Sequence, residues 1–190
     1  QLSRRKIITL NPSYHGGTIG TLAISGNDGL APFMEGFSVV SETVPAPMSY
    51  RLPQGHTRES YASECAAALE EKIIALGSEN VLAFVIEPVG GISTGAVVPP
   101  DQYFQDIRRI CSAHGVFLVF DEVLCGAGRS GKYITAHHWP DALPDIIVMA
   151  KGLGAGYSPL GAMLAPAAMV DELAELTGCE FSYSYNANPI

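Results

Sequence analysis

The sequence predicts an α/β domain, a mostly parallel sheet covered by helices on both faces. Apolar, β-branched runs at 81–86, 116–120 and 146–149 alternate with helical patterns. The runs are apolar at nearly every position, as in strands buried on both faces. Gly or Pro stands close to the end of each run. With 190 residues, 47% of them hydrophobic, and a mean hydropathy of +0.20, the chain can bury one core and is not disordered.

The elements follow in order. Lys6–Leu10 is a strand, ended by Asn11-Pro12, and a short helix follows Gly16-Gly17. Residues 26–56 read mostly as loop, with a short strand at 38–41. Thr57 caps a helix that runs to Leu76, with Tyr61, Cys65, Leu69, Ile73 and Leu76 on one face and Gly77 as its stop. Asp101–His114 is helical by its Phe104, Ile107, Ile110 and Cys111 spacing, and Gly115 ends it. Leu160–Ala165 is a further strand. Pro166–Thr177 is an amphipathic helix with Met169, Leu173 and Leu176 inward. Residues 1–190 form a single domain, with neither repeat nor linker.

A net charge of −8 and a pI near 5.0 argue against nucleic-acid or anionic-membrane binding, which needs clustered Lys and Arg. No apolar segment follows the basic Gln1–Lys6, as a signal peptide would require, and no run reaches the roughly 18 apolar residues of a spanning helix. Cysteines 65, 111, 125 and 179 form no C-x-x-C pair, which fits free thiols in a reducing cytoplasm. The chain opens without Met and stops without a closing element, and so reads as a segment of something longer.

In parallel sheets, ligands bind beyond the carboxyl ends of the strands. Glu87-Pro88 follows the 81–86 run, Asp121-Glu122-Val123 the next, and Lys151-Gly152-Leu153-Gly154 the third. Two acids and a lysine at strand ends are either an active constellation or a structural ion pair, because unpaired charges there are costly. Gly126–Lys132 imitates a phosphate loop, but the acidic strand lies directly before it and leaves no separate strand to feed it. Tyr133 also stands where the magnesium-binding Ser or Thr would be. The adjacent His137 and His138 cannot share a helical face, which gives no support to a metal site. Ser130 and Ser158 lack a nucleophile elbow.

Ser13-Tyr14-His15-Gly16, Glu87-Pro88-Val89, Asp121-Glu122-Val123, Gly126-x-Gly128-Arg129-Ser130-Gly131 and Lys151-Gly152-Leu153, with 30 residues from Asp121 to Lys151, together resemble the class III aminotransferases. These are fold type I enzymes dependent on pyridoxal 5′-phosphate (PLP). The resemblance implies that the chain is the central part of the PLP-binding large domain, with an N-terminal segment and a C-terminal small domain outside it. It implies that Lys151 forms the internal aldimine and moves the substrate's α-proton, and that Asp121 keeps the pyridine nitrogen protonated. Val123 would pack on one ring face and Tyr14 on the other, with His15 of the same motif also among the cofactor-binding residues. Glu87 would order the hydrogen bonds of Asp121, and Ser184 would reach the PLP phosphate of the neighbouring subunit in a homodimer. Two departures stand out. Leu124 replaces a Gln that hydrogen-bonds the cofactor's phenolate oxygen, and Ile92 replaces a Glu that switches substrate modes in ω-amine enzymes. The implied reaction is transamination between an amine or amino acid and a keto acid. Another PLP reaction on the same fold (decarboxylation, racemisation, aminomutase chemistry) or a catalytically silent truncated homologue remains open.

Overall fold

The computed structural model describes residues 4–26, 29, 32 and 41–178. Six strands form one sheet: β1 (Lys6–Asn11), β2 (Ser41–Pro45), β3 (Val81–Ile86), β4 (Phe117–Asp121), β5 (Ile146–Met149) and β6 (Ala162–Leu164). Their spatial order is β2-β1-β3-β4-β5-β6. All neighbours are parallel except β5 and β6. The chain leaves β1 to one side for β2 and returns on its other side as β3. The sheet therefore has a switch point at β1, where a crevice opens at the strands' carboxyl ends.

The helices are α1 (Ile19–Ala23), α2 (Arg58–Leu76), α3 (Asp101–His114) and α4 (Ala167–Thr177). α2 starts at Thr57, whose side chain accepts from Ser60 N while the Ser60 hydroxyl accepts from Thr57 N. This reciprocal cap satisfies two donors that the first helical turn would otherwise leave open. α3 ends at Gly115, whose left-handed backbone (φ 62°) suits glycine. Leu69 and Ile73 of α2 and Phe104, Ile107 and Ile110 of α3 pack with Ile8, Phe84, Ile86, Leu118 and Phe120 of the sheet in one core. Trp139 closes its end by stacking on Phe104, with ring centroids 3.8 Å apart.

The opposite face carries a smaller cluster of Ala83, Val85 and Val119, flanked by half-buried Ile7, Leu82, Phe117, Ile146 and Val148. Alternation along β4 sends Leu118 and Phe120 to the helical core, and Val119 and Asp121 to this thinner face.

The structure departs from the sequence pattern in several places, among them β6, which spans only Ala162–Leu164. β4 begins one residue later than expected and includes Asp121 as its last residue. The strand expected at 38–41 is found at Ser41–Pro45, while residues 38–40 lie outside the described residues. It is an edge strand in which Val44 alone is buried, so it shows no apolar run to read. In α4, Met169 and Leu173 are half-buried, but Leu176 is 63% exposed and not inward as expected. The helix follows the edge strand β6 and buries no residue fully.

Among the described residues, no helix is long and apolar enough to cross a membrane. Cys65, Cys111 and Cys125 are buried free thiols, and Cys179 lies outside the described residues.

Candidate active site

The carboxyl ends of β1, β3, β4 and β5 bring most of the expected residues to one edge of the sheet. Asp121 closes β4 and is 8% exposed. Its Oδ1 accepts from Val123 N at 3.0 Å, and its Oδ2 accepts from His15 Nδ1 at 2.8 Å. The His15 side chain is only 2% exposed. Its other nitrogen, Nε2, lies 2.9 Å from the hydroxyl of Thr9, which is 3.2 Å from the hydroxyl of Ser13. Ser13 Oγ in turn accepts from Gly26 N. Ser13, Thr9, His15 and Asp121 thus form one continuous hydrogen-bonded chain. Both ring nitrogens of His15 are therefore engaged within the protein, one of them on Asp121.

Glu87 follows β3 and bridges two loops. Its Oε2 accepts from Tyr14 N at 3.0 Å and its Oε1 from Gly91 N at 2.9 Å. Burial pushes its carboxyl above the ordinary range, and the nearby Asp121 charge adds to this. The two N–H donors and His15 act the other way. Tyr14, at the mouth of the crevice, is 39% exposed. Val123 lies in the turn after β4, so strand alternation does not set its direction; its backbone N–H serves Asp121. Ile92 is 92% exposed and Leu124 38%. A Cβ built on Gly91 would lie 3.8 Å from Leu124 Cδ2, so the two loops adjoin.

Lys151 follows β5, the neighbour of β4. Asp121 is paired with Val148 across the sheet, so Lys151 stands three residues farther along, about 10 Å of extended chain. Its φ of 43° is left-handed, a conformation that costs a non-glycine residue about 1 kcal/mol or more. The side chain is exposed beside an open cleft of ≈ 660 Å³ that Tyr157, Ser158 and Leu160 also line. Lys151 forms no ion pair among the described residues, whereas Asp121 has His15 and Glu87 has two backbone donors. A structural lysine–carboxylate pair, one of the two sequence readings, is not what these groups form. Ser184 lies outside the described residues.

Sequence reasoning missed two contributors. Thr9 is fully buried between the apolar Ile8 and Leu10, and that hydroxyl is the available signal. Glu122, 1% exposed, accepts from the backbone N–H groups of Thr135 and Ala136 at 2.7 Å each, a pairing 13 and 14 residues away that no local pattern announces.

Comparison with known proteins places the chain in a family. The family model "Aminotransferase class-III" matches residues 1–190. An uncharacterized aminotransferase of Bacillus subtilis, YodT, is 36% identical over 93% of the chain and 40% of its own length. A leucine/methionine racemase of Thermococcus litoralis is 36% identical over 91% of the chain and 39% of its own length. The structure of an amine transaminase from an uncultivated Pseudomonas species, in its PLP-bound internal aldimine form, superposes with a TM-score of 0.85 at 33% identity. It covers 96% of this chain and 42% of that one. The chain thus spans about 40% of the length of the relatives it matches. Matched by the family model from end to end, with these residues gathered at the strand ends, the chain belongs to the class-III aminotransferases.

Proposed function

We propose that this chain is the cofactor-holding core of a PLP-dependent aminotransferase that moves an amino group between an amine or amino acid and a keto acid. The observation that carries the reading is a buried Asp121, held by His15 at the end of β4, near a Lys151 that follows the adjacent β5 and has no ion pair among the described residues. The donor set suits the cofactor: an acceptor-only carboxylate for a protonated ring nitrogen and an exposed lysine amine for its carbonyl carbon. When bound, PLP supplies an electron-withdrawing ring that takes up the charge left as a substrate's α-proton departs.

The chain's own residues divide the remaining work. Asp121 holds the proton on the ring nitrogen, and His15 fixes the carboxylate by occupying its Oδ2. Tyr14 and Val123 would flank the ring. Lys151 holds the cofactor and carries the α-proton. Glu87 keeps the Tyr14 loop and the Gly91 loop in register. By the family resemblance Ser184 would reach the phosphate held by a second subunit, in a homodimer. The buried free thiols support a cytoplasmic setting. Racemisation is the second reading, favoured by the 36% identical racemase. Incubating the PLP-loaded full-length protein with amines, amino acids and keto acids separates them: transamination yields a new amino acid from the acceptor, whereas racemisation inverts the donor and leaves the acceptor unchanged.

A further inference from the structure

Glu122 adjoins Asp121 in sequence, yet its side chain points into the protein. Its backbone N–H donates to Val148 O at 2.8 Å, and its carbonyl accepts from Gly126 N at 2.8 Å. Its carboxylate closes the loop by capping Thr135 and Ala136. Within that loop Ala127 N donates to Tyr133 O, and the Thr135 hydroxyl donates to Cys125 O. A buried carboxylate is costly unless its oxygens are occupied, and two short bonds to backbone donors meet that need.

The arm of the loop that carries Ala127 meets the turn that carries Lys151. A Cβ added at Gly152 would sit 3.3 Å from Ala127 Cβ, so the Ala127 methyl lies close against the glycine. Gly126 is equally confined: a Cβ there would approach Glu122 O to 2.8 Å and Met149 Cε to 3.0 Å. Ala127 and Lys151 both hold left-handed backbones, φ 53° and 43°. Such conformations persist only where surrounding structure enforces them.

We propose that Glu122 is a positioning residue for Lys151: by clamping the 122–136 loop it presses Ala127 against Gly152 and holds the strained turn that presents the lysine. The functional half of this assignment rests on the proposed function above; the mechanical half does not. One carboxylate thereby links the two halves of the site, since the same residue continues directly from Asp121.

Two variants of the full-length protein test it. Glu122→Gln leaves one backbone donor facing an amide NH2. Ala127→Gly removes the abutting methyl but accepts φ 53° without strain, so it leaves folding intact. The first readout is amide hydrogen exchange at Leu153 and Ala155 in the cofactor-free protein, because these amides close the Lys151 turn by donating to Ala150 O and Gly152 O. Exchange should quicken roughly tenfold or more in both variants. In PLP-loaded protein, the pH midpoint of the cofactor's visible absorbance should move, and kcat should fall about tenfold with KM little changed. Wild-type exchange at both amides in Ala127→Gly, or a Glu122→Gln protein that loses thermal stability with unaltered exchange and pH midpoint, overturns the proposal. Faster exchange in a protein whose wild type never acquires a pyridoxyl group on Lys151 upholds the mechanical link and defeats the proposed function instead.

Discussion

His15 Nδ1 sits 2.8 Å from Asp121 Oδ2, and the two side chains are 2% and 11% exposed. Residues 106 positions apart therefore share a near-dry contact at the ends of two strands separated by β3. In that setting a carboxylate oxygen without its donor is expensive, more so than at a surface. His15→Ala should lower kcat/KM by roughly 10- to 100-fold while the protein still binds PLP. Steady-state kinetics beside cofactor titration checks this; unchanged kinetics would show that His15 merely fills space.

Asp121→Ala removes the group proposed to hold the ring nitrogen. Lys151 follows the neighbouring strand and makes no ion pair with Asp121, so covalent capture of the cofactor should survive. α-Proton exchange from a bound amino acid should slow about a thousandfold, equivalent to about 4 kcal/mol. Deuterium wash-in at the substrate α-carbon measures that step directly. A near-normal wash-in rate contradicts the role given to Asp121.

Glu87 predicts a pH effect with a definite sign. Its carboxyl is raised chiefly by burial, so the folded chain holds that proton to higher pH than the unfolded chain does. Stability from this group is full below the unfolded carboxylate range and is lost as pH rises through the raised folded value. Thermal melts of the wild type and Glu87→Gln across that interval should diverge, with the wild type losing Tm relative to the variant as pH increases. Parallel curves would contradict the assignment.

Legibility in the sequence followed physical periodicity. The helix from Arg58 to Leu76 announced itself through Thr57, its apolar face and Gly77, each a local signal. The acids and the lysine at the strand ends were readable because charge interrupting an apolar run is conspicuous. β2 was misplaced because an edge strand with one buried residue has no pattern to show. Leu176 was turned the wrong way because helical spacing identifies a stripe without identifying what covers it. The His15–Asp121 contact and the grip of Glu122 on Thr135 arise from tertiary placement, and neither leaves a trace in spacing.

The central claim is that Lys151 holds the cofactor, and one measurement addresses it most directly. The PLP-loaded protein is reduced with borohydride, digested and mapped by mass spectrometry. The account predicts a pyridoxyl group on the peptide containing Lys151 and its absence from Lys151→Ala. A pyridoxyl group on Lys132 or Lys72, or none on any lysine, would contradict it.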